Sequence, residues 1–510
     1  MDNQPNAVTL LVDGAVLKKH IAKMGRPYKP QLVIQCLSHM VQAVRQQTNN
    51  APVVLQYYGA QMKEAISFPI SKKPYCEPEL KLALRHCNIP GATLQCFWGK
   101  GTYPLSQPWI LKPSAYSKEN LTDDDFVLNE KPKGVLSQLI GYMAEHSVRR
   151  PNVPLYVYGD AEDMAYALHT SKWLGAEIHQ MELHGKTPVI SEVSAAAEQH
   201  FCDKDTMQQV GLMMSTQPDD ALLMKQLRAK CPDKDKKSIL MIDLGVVRKH
   251  IENLGYRLNV HNMQELLKQI TDSLGAQPTQ IIFYGAMVAD KILVSPFPGA
   301  ARVQVDSSFE KKITSLPNVN FSFGKTMQDK DYPAILKKEY WLVSPKKRGY
   351  DSYSYNIHQV GVDARFAYDM SLFSMDPMVS QLYVVATDGD FANPVEKASS
   401  RGLPVSLIHL DFGAKDLSFR LQREADETIH VLPNTDDLAS RALNRKGTNK
   451  DDKRQQSDTK LKKMHKMKRS WAKADAAEED DYDEPTKMDR IAANKAANRK
   501  FLRSRIQRRQ

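Results

Sequence analysis

Leu382-Tyr383-Val384-Val385-Ala386-Thr387-Asp388-Gly389-Asp390-Phe391 is an apolar run that ends in two carboxylates and leads into a helical pattern. A short apolar run bounded by turn residues reads as a buried strand. In open α/β sheets the carboxyl ends of such strands are where ligand sites lie. About 227 residues earlier, without a gap, stands Leu155-Tyr156-Val157-Tyr158-Gly159-Asp160-Ala161-Glu162-Asp163-Met164. There Ala161 occupies the place of Asp388, while Asp163 matches Asp390.

The correspondence extends well beyond this stretch. Gly134-Val135-Leu136 answers Gly361-Val362-Asp363, and Gly175 answers Gly402. Leu11-Val12-Asp13 with Lys18-Lys19-His20-Ile21 matches Met241-Ile242-Asp243 with Arg248-Lys249-His250-Ile251. Tyr57-Tyr58-Gly59-Ala60 parallels Phe283-Tyr284-Gly285-Ala286, and Phe97-Trp98-Gly99-Lys100 parallels Ser322-Phe323-Gly324-Lys325. The offset drifts by a few residues, as loop insertions and deletions produce. The period is far too long for a solenoid and reads as a duplicated domain, with copies over 1–200 and 236–435. Within each copy, strands alternate with helical segments, which predicts an α/β fold with a mostly parallel sheet flanked by helices. Residues 201–235 read as a helical connector and a charged linker.

The net charge of +11 is unevenly placed: residues 441–510 hold 22 Lys+Arg against 11 Asp+Glu, so the remainder of the chain is neutral. From 436 onward the chain is basic and poor in apolar residues, which predicts a largely disordered tail, with a basic helical stretch after Pro485. No apolar run approaches the length of a membrane span, and the start lacks the build of a signal peptide. Six cysteines show no metal-ligand spacing and read as reduced thiols. These features predict a cytoplasmic protein.

Four carboxylates of the second copy are expected to converge. Asp243 ends the first strand, Asp388 and Asp390 end a later one, and Asp363 opens a helix whose apolar face is Val362, Phe366, Met370 and Phe373. A carboxylate in a first helical turn is also favoured by the helix dipole. Clustered carboxylates repel one another and take up protons unless a cation lies among them. Oxygen-only ligation suits Mg²⁺ or Mn²⁺, and such an ion supports phosphodiester hydrolysis. Taken singly, Asp388 and Asp390 also fit a turn and a helix cap.

Ile242-Asp243, Gly361-Val362-Asp363 and Thr387-Asp388-Gly389-Asp390-Phe391, in this order and with Gly402 downstream, resemble the NYN domain, a branch of the PIN-like nucleases. The resemblance implies two tandem PIN-like, Rossmann-like domains and Mg²⁺- or Mn²⁺-dependent RNA cleavage. It also implies that Asp243, Asp363, Asp388 and Asp390 are catalytic metal ligands. One departure stands out, because the family usually carries Asn three residues after the first Asp and this chain has Val246. The first copy keeps Asp13 and Asp163 but has Leu136 and Ala161 where the second has Asp363 and Asp388, so it reads as a degenerate scaffold or RNA-binding pseudo-domain.

Lys325, Lys346, Lys347, Arg348 and Arg365 are candidate contacts for RNA, the middle three beside Tyr350, Tyr353 and Tyr355 that suit base stacking. Each also fits a solvated surface residue. His20 and His250, beside apolar helix faces, read as packed histidines. The basic tail suits RNA, single-stranded or structured, or a ribonucleoprotein surface, through counterion release. A non-catalytic RNA-binding adaptor is the competing reading. A phosphatase is disfavoured, since Asp243-Leu244-Gly245 lacks a second acid two residues on.

Overall fold

Val8–Asp13 (β1) is buried along its whole length, as the apolar run requires, and Asp13 at its end caps the helix Gly14–Lys23 (α1). The helix Pro30–Gln47 (α2) follows, then the strands Val53–Met62 (β2), Ala92–Thr102 (β3) and Lys131–Lys133 (β4). Val135–Arg149 (α3), Leu155–Tyr158 (β5), Ala161–Leu174 (α4), Ile178–His184 (β6) and Thr187–Glu192 (β7) complete the first half. Two helices, Lys204–Thr216 (α5) and Asp220–Lys230 (α6), follow.

The second half repeats the plan with Lys237–Asp243 (β8), Leu244–Asn253 (α7), Val260–Leu274 (α8), Gln280–Met287 (β9), Val319–Gln328 (β10) and Ile357–Val360 (β11). Val362–Met375 (α9), Val379–Val385 (β12), Ala392–Ser400 (α10), Val405–Leu410 (β13) and Glu427–Val431 (β14) follow. This computed structural model describes residues 7–431 apart from short stretches, the longest being 103–108, 112–119, 294–301, 329–340 and 344–352. The expected basic tail from 436 lies outside the described residues.

Each half is built on a seven-stranded sheet, ordered β7-β6-β5-β1-β2-β3-β4 in the first and β14-β13-β12-β8-β9-β10-β11 in the second. Strand for strand the two orders agree. The five central strands of each sheet are parallel, and β4 and β11 close one edge antiparallel to their neighbours. The other edge differs: β7 pairs antiparallel with β6, while β14 runs parallel to β13. Gly185, at φ +63, makes the tight return that the β6–β7 pair needs.

The halves share a core. Leu139, Ile140, Met143 and Ala144 of α3 belong to one buried cluster with Ala364, Ala367, Tyr368 and Leu372 of α9. Burial of Leu139, Ile140, Met143 and Leu372 contributes about 1.5–3 kcal/mol each, so the contact between α3 and α9 is a major source of stability. Accordingly Met1–Ala442 forms a single compact unit, and the second unit, Leu443–Gln510, lies outside the described residues. Among the described residues no helix is long and apolar enough to cross a membrane.

Candidate active site

β8 and β12 are adjacent parallel strands, with Ile242 paired to Val385, so Asp243 and the segment leading to Asp388 emerge at one mouth of the sheet. β9 lies on the other side of β8. The chain's two directions of sheet growth therefore part at this point, which is where α/β sheets form ligand crevices. Asp243 is held by the Gly245 amide, which donates to its Oδ1 at 2.8 Å. Asp388 caps a 3-10 turn, Gly389–Phe391, by accepting from the Asp390 amide at 3.2 Å. The sequence reading runs the chain directly into a helix here; the structure inserts this turn before α10.

Phe391 anchors the turn. It is buried, with its ring 4.4 Å from that of Phe366 on α9. That contact ties Asp388 and Asp390 to the helix that carries Asp363. Gly361 begins α9 in the left-handed region, at φ +75, where a side chain is strained. Asp363 follows in the first turn, as expected from Gly361-Val362-Asp363.

The acids feel one another. The Asp363 carboxyl is pushed up to about 7 by desolvation in the crowded mouth and by repulsion from Asp243, Asp390, Asp388 and Asp163. Its side chain is nevertheless exposed, so the repulsion is the part that a cation would relieve. Burial also raises Asp243, against the Gly245 and Val246 amides and the Lys249 charge, with Asp388 adding repulsion. An all-oxygen carboxylate set of this kind fits Mg²⁺ or Mn²⁺.

Asp390 has a second engagement. Its Oδ1 accepts from the Gly134 amide at 2.8 Å, and the Ser137 hydroxyl donates to its backbone carbonyl, so it links the two halves. Arg365 also lies at this interface, its guanidinium 4.3 Å over the ring of Tyr166. Lys346, Lys347 and Arg348 lie outside the described residues, as does the side chain of Lys325. Lys249, one turn into α7, faces Asp243 and was not singled out in the sequence; its recurrence with Lys19 was the available signal.

The mouth of the first sheet is less bare than pairing the copies suggests. Asp13 is buried and raised to about 6, by desolvation against the Val16 and Ala15 amides and Lys19, with Asp163 repelling it. Asp160, one residue before Ala161, accepts from the Glu162 and Asp163 amides and caps α4. A third acid therefore stands near Asp13 and Asp163, missed because the alignment points to Ala161. Leu136, opposite Asp363, packs against the shared core. Asp163 reaches across to the second half, where its Oδ1 accepts from the Gly361 amide at 3.1 Å. A separate cleft of about 840 Å³, lined by Val8, Pro52, Pro154 and His179, opens at the amino end of the first sheet's strands, away from both mouths.

Residues 319–432 match the family described as the NYN domain. The match begins at β10, so it takes in Asp363, Asp388 and Asp390, and Asp243 precedes it. No curated protein matches the chain. Two solved structures were matched along most of their length. UDP-GlcNAc 2-epimerase from Methanocaldococcus jannaschii is 10% identical, covering 87% of this chain and 94% of that one, with a TM-score of 0.20. UDP-GlcNAc 2-epimerase from Neisseria meningitidis bound to UDP-GlcNAc is 13% identical, covering 79% and 82%, with a TM-score of 0.16. At such scores the likeness carries no argument. The stretch that holds Asp363, Asp388 and Asp390 therefore lies within the part of the chain that is similar to the NYN domain.

Proposed function

We propose that the second half is a ribonuclease that cleaves phosphodiester bonds with Mg²⁺ or Mn²⁺ held by Asp243, Asp363, Asp388 and Asp390. The observation that carries this reading is the crowding at Asp363, whose carboxyl is pushed up to about 7 by desolvation and then by four other carboxylates, one of them from the first half. Such crowding persists in a folded protein when a cation normally balances it. A divalent ion there supplies a bound water of lowered pKa and neutralises charge on the phosphoryl group. Lys249 places a positive charge beside Asp243, suited to a substrate phosphate. The first half is a degenerate duplicate that acts as a scaffold, and the basic tail holds RNA or a ribonucleoprotein surface in the cytoplasm. Manganese titration followed by electron paramagnetic resonance tests the metal set. Asp363→Asn and Asp388→Asn should each weaken Mn²⁺ binding at least about tenfold; unchanged binding in both overturns the assignment.

A non-catalytic RNA-binding adaptor is favoured by one feature, Val246. Its side chain packs against the apolar core of the second half, so at this position only the backbone amide serves Asp243. Retention of intact RNA in the presence of metal, with salt-sensitive gel shifts, would select this reading.

A further inference from the structure

β13 is buried along its length except at His409. That residue is the register partner of His430 on the parallel edge strand β14. Register partners on adjacent strands place their side chains on the same face of the sheet. Asp411, two residues beyond His409, returns to that face as the chain leaves β13, and its amide donates to the Val431 carbonyl at 3.1 Å, which fixes it there. The three side chains converge: His409 Nδ1 lies 2.8 Å from Asp411 Oδ1, and His430 Nδ1 lies 3.0 Å from Asp411 Oδ2. All three ligand-type atoms fall within 4.8 Å of one another.

We propose that His409, Asp411 and His430 form a zinc-binding site, distinct from the carboxylate mouth between β8 and β12. The donor set decides the class of ion. Two imidazole nitrogens and one carboxylate suit a borderline divalent metal, with Zn²⁺ the commonest, whereas Mg²⁺ prefers oxygen alone. Three protein donors leave a tetrahedral position for water or an anion. The side chains of His409 and Asp411 are 20% and 19% exposed and that of His430 44%, so the site is fixed on its inner side and open on its outer side. Binding displaces the ring protons that now point at Asp411 and joins the last described strand to its neighbour. Because Zn²⁺ binds only the folded arrangement, it stabilises the protein by mass action.

The test uses full-length protein stripped with chelator and titrated with Zn²⁺ by calorimetry, with saturating Mg²⁺ present to fill the carboxylate mouth. The expected result is one Zn²⁺ per chain, weakened at least about tenfold in His430→Ala and in His409→Ala, with a rise in melting temperature on zinc addition that both variants lose. His430 is exposed, so its variant retains the fold, which circular dichroism checks. Co²⁺ in place of Zn²⁺ should give visible absorption from mixed nitrogen and oxygen ligation in the wild type and not in His430→Ala. Wild-type protein that binds no Zn²⁺, or binding that survives His430→Ala, overturns the proposal. So does binding that Asp363→Asn removes, since that would assign the zinc to the carboxylate mouth. The first two results leave the ribonuclease reading untouched, whereas the third would place a metal at its carboxylate mouth.

Discussion

Asp163 and Gly361 are joined by a hydrogen bond of 3.1 Å across the two halves of the chain. The reverse bond, from the Gly134 amide to Asp390, is 2.8 Å long. Each half therefore uses the second acid of its strand-end motif to satisfy the first amide before the other half's interface helix. Both receiving glycines lie at positive φ, +71 and +75, so the exchange is the same in the two directions. What reads as a remnant site in the first half instead positions α9, the helix that carries Asp363.

Removal of that acceptor has a defined cost. Asp163→Ala leaves a helix start without its cap and should destabilise the protein by about 1–2 kcal/mol. Misplacement of Asp363 should also lower cleavage by about tenfold or more. Asp163→Asn keeps an acceptor oxygen and should retain most of both. Denaturant unfolding and single-turnover cleavage check the pair.

Asp363 should make the metal-free protein less stable at neutral pH. Its carboxyl is raised from 3.8 to about 7, so the folded state binds the extra proton between those values. Stability then falls as pH rises from about 4 to about 7. Asp363→Asn should therefore raise the melting temperature of metal-free protein at pH 7–8, and the gain should vanish below about pH 4. Differential scanning calorimetry across pH measures this.

Glu145 has the opposite sign. Despite desolvation, the Lys397 and Arg401 charges, with Arg149, hold its carboxyl down to about 2. The contacts are 3.0 Å from Lys397, 3.2 Å from Arg401 and 3.1 Å from Arg149. Its stabilisation is complete above the ordinary value of 4.5 and is lost as pH falls towards 2. Glu145→Gln should cost about 2–4 kcal/mol at pH 7, and this cost should shrink below pH 4 in acid-unfolding curves.

The buried carboxylate of Asp369 accepts from Tyr166 at 2.6 Å and from Tyr284 at 3.0 Å, one hydroxyl from each half. Tyr166→Phe removes one donor from a buried charge and should cost about 1.5–3 kcal/mol in urea unfolding.

Much of this arrangement is legible in the sequence, and for a physical reason. Strand ends and helix starts are local, so Asp243 after an apolar run and Asp363 after Gly361-Val362 lie where the pattern puts them, and the strand at 405–410 keeps its bounds. Relations set by tertiary packing are not legible. Nothing local shows that Asp163 and Asp390 reach into the opposite half. Nor does it show that β13 and β14 run parallel and so bring His409 beside His430. The partners of Glu145 are equally non-local, since Lys397 of α10 and Arg401 just after it come from the other half of the chain.

The most direct test is cleavage of end-labelled single-stranded RNA by the purified full-length protein with Mn²⁺ or Mg²⁺. Metal-dependent cleavage by the wild type, reduced about a hundredfold or more by Asp363→Asn and by Asp388→Asn, is the predicted result. Intact RNA with either metal, or undiminished cleavage in both variants, would contradict it.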